Sequence, residues 1–352
     1  MRIEERIKTL HVLSNCLELN EKKMENSALS DCLERWREAI EQEHFHHSWF
    51  IPTFVREAVS ALVSMMRGTS GDGLEAWVES YPALRDKRRS HRIGVIMAGN
   101  IPLVGFHDFL CTFVAGDTFV GKMSSNDTRL WPLLCEMLTL ISPEAAPQLE
   151  LTTGRLTDVE GVIATGSNNS SRYFEAYFGQ YPHIIRKHCN GVAVLDGTES
   201  PEQLRALAKD ICLYFGLGCR NVAKVYLPKD YDFKPLFDAI DSFRPLLGVH
   251  HSYLNNLEYQ KTVHLINRIP FLDQGICIFK EHDSFASPVS VVHYTYYSSL
   301  DEVWEQLRSD EVQCVATQLR APLSTVALGE TQYPSLSQYA NGIDTMNFLL
   351  SI

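Results

Sequence analysis

Residues 92–125, RIGVIMAGNIPLVGFHDFLCTFVAGDTFVGKMSS, decide the fold. Arg92 to Ala98 is a short apolar, β-branched run that reads as a strand, broken by Gly99-Asn100-Ile101-Pro102. Val104 to Ala115 carries apolar residues at helical spacing, and Asp117 to Lys122 is a second strand. The alternation continues with a helix over Thr128 to Ile141, a strand over Gly161 to Ala164 and a helix over Ser170 to Phe178. Strands separated by helical crossovers pair in parallel and are covered on both faces. The region is therefore expected to be a doubly wound α/β domain.

Working outward, the loop His188-Cys189-Asn190-Gly191 leads into a strand over Val192 to Gly197, and the alternation restarts around Cys219. Strand-like runs at Val222 to Leu227, Gly275 to Phe279, Ser290 to Tyr294 and Val312 to Thr317, with a helix over Ser299 to Arg308, fill a second α/β domain. Upstream the pattern is helical, as in Leu29 to Trp36 and Phe54 to Val63, with a turn-rich break from Gly68 to Gly73. The expected division is a helical scaffold of the cofactor domain over 1–90, a dinucleotide-binding domain over 91–187, a catalytic domain over 188–330 and a C-terminal tail over 331–352.

Composition excludes several classes. With 352 residues, 45% hydrophobic and 21% charged, the chain has apolar content for two cores. A net charge of −11 argues against a nucleic-acid binder, which needs clustered Lys and Arg. The charged start, Met1 to Lys8, lacks the apolar centre of a signal peptide, and no apolar run is long enough to span a bilayer, so a cytoplasmic location is expected. The 9 cysteines are scattered without CxxC or zinc-ligand spacing, a reduced-thiol pattern. His44, His46 and His47, and the pair His250-His251, lack a carboxylate or thiol at matching spacing, so no metal is expected.

Cys219 lies in Gly216-Leu217-Gly218-Cys219-Arg220-Asn221, between an amphipathic run (Pro201 to Phe215) and a strand. A thiol at a helix end, beside an arginine and exposed backbone N–H groups, has its pKa lowered and suits a nucleophile. The same residue also suits a small packed thiol, the usual state of a free cysteine, and the local sequence leaves both open. Three loops follow strands of the first domain, beginning at Ala98, Gly121 and Ala164, and ligands of open parallel sheets bind beyond such carboxyl ends. Gly166 and Ser167 at a helix start offer N–H and hydroxyl donors to a phosphate, or serve as turn and N-cap material.

Together and in this order the segments resemble the aldehyde dehydrogenase superfamily, and more narrowly its LuxC-type acyl-CoA reductases. Asn100 stands where the family has the asparagine of W-N-F-P, and Ala115 to Ser125 follows A-G-N-T-V-V-L-K-P-S-E. Thr165-Gly166-Ser167 matches F-T-G-S; Gly216 to Cys219, followed by Val225-Tyr226-Leu227, matches G-Q-x-C and its strand; the ending Tyr339 to Met346 matches the LuxC type. The resemblance covers residues 92–352. It implies the aldehyde-dehydrogenase fold, Cys219 as nucleophile, and Asn100 sharing the oxyanion with the Cys219 N–H. Lys122, Ser124, Ser125, Thr165, Gly166 and Ser167 would face the cofactor, Lys122 at the adenosine ribose or its 2′-phosphate.

Departures from the aldehyde-oxidising pattern sharpen the expectation. The hydrolytic glutamate of E-L-G-G has no counterpart in Ile185 to Gly191, so water is not activated and the acyl-enzyme is left for exchange with a thiol. Ser125 replaces the glutamate of K-P-S-E that binds ribose hydroxyls, which favours NADPH over NADH. The family's E-x-F-G-P-V has shrunk to Ser287-Pro288-Val289, its glutamate position nearest Ser284 with Glu281 and Asp283 close by. The implied activity is NADPH-dependent reduction of an acyl-CoA to an aldehyde through a Cys219 acyl-enzyme and a thiohemiacetal, in a homo-oligomer. The rivals are an acyl-phosphate reductase with the same cysteine and a catalytically silent assembly subunit, which would show no selectively reactive Cys219.

Overall fold

The buried apolar runs of the first half form strands whose two faces are both covered, which is why they read as near-continuous hydrophobic stretches. The computed structural model describes residues 1–18, 27–68, 72–166 and 168–352. The chain divides into one unit of Met1–His188 with Tyr333–Ile352 and a second of Cys189–Gln332. The centre of the turn-rich break expected at Gly68 to Gly73 lies outside the described residues.

The first unit opens with helices α1 (Ile3–Leu17), α2 (Ser27–Gln42), α3 (Pro52–Arg67) and α4 (Leu74–Glu79). Then β1 (Arg92–Ile96), α5 (Phe106–Ala115), β2 (Thr118–Lys122), α6 (Leu130–Ile141), β3 (Leu149–Thr152), β4 (Gly161–Thr165), α7 (Asn168–Phe178) and β5 (His183–Arg186) follow. The strands lie in the order β3-β2-β1-β4-β5, all parallel. One face carries a core in which Phe109, Phe113, Phe119 and Trp131 pack with Trp36 of α2 and Phe50 of the connection before α3. The other face is thinner: Val120, Val162 and Ala164 meet Phe174 and Phe178 of α7.

The second unit runs β6 (Asn190–Val194), α8 (Pro201–Cys212), β7 (Val222–Pro228), α9 (Lys234–Asp241), α10 (Arg244–Leu247), α11 (His251–Ile266), β8 (Leu272–Asp273), β9 (Ile278–Glu281), β10 (Val291–Tyr297), α12 (Leu300–Gln306) and β11 (Val312–Ala316). Its sheet has the order β11-β6-β7-β10-β9-β8, parallel except for the short antiparallel edge strand β8. Ser200 and Gln203 form a reciprocal capping box at the start of α8, with Pro201 at its first position.

The segment from Tyr333 returns to the first unit and ends in α13 (Thr345–Ser351). It is a packed element rather than the tail its position in the sequence suggested. Tyr339 Oη accepts the Trp77 indole N–H at 2.9 Å and lies 2.7 Å from Tyr81 Oη, while Tyr81 donates to Asp344 at 2.9 Å. Buried Arg186 makes a bidentate pair with Asp108 of α5 at 2.7 and 2.8 Å and also reaches Thr345 at 2.7 Å. The Tyr339 to Met346 motif thus clamps α4, α5 and β5 together. Among the described residues no helix is long and apolar enough to cross a membrane.

Candidate active site

In the first unit the strand order reverses between β1 and β4, so successive loops leave in opposite directions and open a crevice at their carboxyl ends. The loops after β1 and β2 are stitched together. The Met97 N–H donates to the Lys122 carbonyl at 3.1 Å, Asn126 Nδ2 to the Gly99 carbonyl at 3.4 Å, and the Leu103 N–H to Asp127 Oδ2 at 2.8 Å. A Cβ at Gly99 would come within 2.1 Å of Ser124 Oγ, so only glycine allows this approach. Asn100 sits half-buried in the loop so formed.

Lys122, at the end of β2, donates to the carbonyls of Thr153 and Gly154 at 3.3 and 2.9 Å. It lines a cleft of about 470 Å³ with Ile96, Arg155, Leu156 and the aromatic side chains of α7. The volume and lining suit a nucleoside-sized ligand. Two cations and no carboxylate face this cleft among the described residues. Ser125 is exposed, whereas Ser124 Oγ accepts the Asn126 N–H at 3.3 Å and holds its own turn. Thr165 ends β4. The Gly166 N–H donates to the Arg186 carbonyl at 3.4 Å, prolonging the β4–β5 ladder. Ser167 lies outside the described residues, and α7 begins at Asn168.

Cys219 belongs to the second unit, on the turn between α8 and β7 rather than at a helix end. The helix stops at Cys212; Tyr214, Phe215 and Gly216 then adopt left-handed backbone with φ of 52°, 58° and 74°. Two consecutive bulky residues there are strained. Burial of both rings, with Phe215 tilted against His250 at 4.4 Å and Tyr253 at 5.6 Å between ring centres, offsets that strain. Asn221, only 2% exposed, ties the turn down. Its Oδ1 accepts the Gly218 N–H at 2.8 Å and its Nδ2 donates to the Asp210 and Leu213 carbonyls, both at 2.9 Å. Arg220 donates from Nε to the Thr331 carbonyl at 2.6 Å. Thr331 is held in turn by buried Asp210, whose carboxyl is pushed up to about 6 by burial against three hydrogen bonds from Gly329 and Thr331.

Burial pushes Cys32 and Cys314 up to about 11 and Cys135 and Cys277 to about 12, and raises Cys16, Cys111 and Cys212 as well. They are protonated, packed side chains at neutral pH. Cys189 is buried and donates to the Asp310 carbonyl at 3.1 Å. Cys219 is half-buried on a hydrogen-bonded turn.

The loop between β9 and β10, where the nicotinamide-ribose motif was sought, is gripped from beneath. Lys224 of β7, 1% exposed, donates to the Asp283 carbonyl at 2.6 Å, with its ammonium 4.7 Å from the Tyr226 ring centre and 5.3 Å from that of Phe285. His293 of β10, its register partner, lies 3.0 Å by Nδ1 from the Ser284 carbonyl. Burial lowers Lys224 to about 8 and His293 to about 4. Sequence reasoning missed Asn221, Asp127, Lys224 and His293, because each acts by holding backbone groups that only the fold brings within reach. Among the described residues no cluster of three His, Cys, Asp or Glu is placed to hold a metal.

No family model and no curated protein matches the chain by sequence. Solved structures match the fold. Aldehyde dehydrogenase 21 from Physcomitrella patens, in complex with the reaction product succinate, aligns over 100% of this chain and 84% of its own with a TM-score of 0.66 at 12% identity. An indole-3-acetaldehyde dehydrogenase in complex with NAD+ aligns over 90% and 72% with a TM-score of 0.60 at 12% identity. A mutant of aldehyde dehydrogenase C from Pseudomonas syringae, with NAD+ and octanal, aligns over 91% and 73% with a TM-score of 0.58 at 10% identity. The fold is thus the aldehyde-dehydrogenase fold, an α/β architecture with a parallel first sheet and a mixed second one.

Proposed function

We propose that the chain reduces an acyl thioester of the acyl-CoA class to the aldehyde with NADPH, Cys219 carrying the acyl group. The observation that supports this most is the exit of β5. Arg186-Lys187-His188 holds no carboxylate where the hydrolytic glutamate was sought, and Arg186 is tied into its pair with Asp108. A cysteine presented on a turn, in a chain whose sequence lacks the hydrolytic glutamate of E-L-G-G, favours acyl exchange with thiols over hydrolysis. The structural neighbours, among them an indole-3-acetaldehyde dehydrogenase and an aldehyde dehydrogenase C mutant, both with NAD+, support the coarser reading of a nicotinamide-dependent oxidoreductase.

In this reading the Cys219 thiolate adds to the thioester carbonyl carbon. Collapse breaks the bond to CoA, which leaves as a thiolate and takes a proton. The Asn100 amide and the Cys219 N–H stabilise the oxyanion. The cleft beside Lys122 would hold the adenosine end of NADPH, with Ser125 in place of a repelling carboxylate, and Thr165 with the start of α7 would lie at the pyrophosphate. Ser124 and Gly166 shape their loops. When bound, NADPH supplies the hydride that reduces the acyl carbon. Expulsion of the aldehyde regenerates the Cys219 thiolate.

The test is intact-mass and peptide mapping after incubation with a panel of acyl-CoAs, together with NADPH oxidation and aldehyde detection. An acyl adduct on Cys219, lost in Cys219→Ala along with turnover, is expected. Turnover retained in that variant, or no adduct with any acyl-CoA, refutes the proposal.

A further inference from the structure

The loop bearing Asn100 depends on one buried acid that the scheme above does not use. Asp127 is 2% exposed; its Oδ2 accepts the Leu103 N–H at 2.8 Å, and its own N–H donates to the Ser124 carbonyl at 3.2 Å. Its Oδ1 is buried with no hydrogen-bond partner among the described residues. The backbone it holds is unusual. Leu103 has φ of 56° with its side chain buried, and Gly105 has φ of 95°. A non-glycine residue keeps such a conformation only where its surroundings impose it.

We propose that Asp127 is a positioning residue for Asn100: its carboxylate fixes the Leu103 N–H and with it the Asn100 to Gly105 loop, and protonation slackens that loop. The inference rests on the role given to Asn100 under the proposed function. A carboxylate binds an N–H more strongly than a neutral carboxyl does. Burial raises Asp127 to about 7, against the favourable Leu103 bond and with a further push from the charge of Glu43. Glu43 is itself buried, 3.8 Å from Arg129. The ionised, loop-holding form of Asp127 is accordingly gained as pH rises through neutrality and lost below it.

Two readouts test this with the full chain. Hydrogen exchange, corrected for intrinsic rates, should show protection of the 101–105 amides falling as pH drops through about 7 in the unaltered protein, but not in Asp127→Asn, which keeps an acceptor and cannot ionise. Single-turnover acylation by an acyl-CoA should slow roughly tenfold in Asp127→Asn and lose its pH limb near neutrality, with the Kd for acyl-CoA unchanged. In an Asn100→Ala background the same substitution should slow acylation no further. Equal, pH-independent protection in both proteins overturns the proposal, as does a full tenfold effect in the Asn100→Ala background. Failure of the unaltered protein to acylate at all instead overturns the functional reading, and the proposal with it.

Discussion

Removing the Asn221 side chain should release the turn that carries Cys219. Asn221→Ala deletes three hydrogen bonds, from the Gly218 N–H and to the Asp210 and Leu213 carbonyls, in a site only 2% exposed. At about 1 kcal/mol net each, with an added penalty for backbone groups that water reaches poorly, the loss is about 3 to 5 kcal/mol. That is a large share of the roughly 5 to 15 kcal/mol that holds a typical protein folded. Because the first unit has its own core, the loss should appear as local opening around residues 212–221 or an earlier transition of the second unit. Urea titration followed by limited proteolysis reads the stability. Two thiol reactions at Cys219 read the geometry. Acylation by an acyl-CoA, which needs a fixed turn, should drop by roughly a hundredfold, while alkylation by iodoacetamide should be no slower. An Asn221→Ala protein that unfolds within about 1 kcal/mol of the unaltered one and acylates at the same rate would refute the argument.

Lys224→Met should be neutral or stabilising near pH 7, since it replaces a buried ammonium with an apolar chain of similar size. In the unaltered protein the lysine loses its proton near 8 when folded but near 10.4 when unfolded, so stability should rise with pH between those values, and the variant should lack that rise in urea titrations. Ser125→Glu should weaken NADPH relative to NADH by about 1 kcal/mol, roughly fivefold, because the exposed site screens the repulsion with the 2′-phosphate. An unchanged ratio of the two dissociation constants would place the loop away from the adenosine ribose. An acyl-enzyme made with labelled acyl-CoA should persist in water and discharge promptly when CoA is added. Rapid release of free acid would reveal an unrecognised base.

The central strands of the first unit were legible because burial on both faces leaves a continuous apolar run, as in β1, β2 and β4. The edge strand β3 was not, since none of its residues is fully buried, Glu150 is exposed, and it follows a proline-bearing turn. Helix α11 escaped notice for a different reason. Tyr253, Leu257 and His264 face inward while Tyr259, Leu265 and Ile266 are exposed, so its apolar residues do not trace one stripe. The loops after β1, β2 and β4 stand out by order and composition, but the hydrogen bonds they make do not, as that of the Gly166 N–H shows.

The end of α8 shows why the candidate site was only half readable. Apolar spacing runs on through Leu213, Tyr214 and Phe215, so the sequence predicts a helix to Phe215, yet the helix ends at Cys212. A helix leaves its last carbonyls without partners. Here Asn221, across the turn, takes up those of Asp210 and Leu213 with its two amide protons. The same side chain fixes the Gly218 N–H and so the approach to Cys219. One polar residue thus stops the helix and sets the turn of Cys219, and neither effect leaves a periodic trace. Asp127 does the same for the loop of Asn100, and Lys224 and His293 for the 283–284 backbone. In each case the chemistry-bearing loop is recognisable by composition, while the buried polar residue that holds it is identified only once the fold has brought its partners within hydrogen-bonding distance.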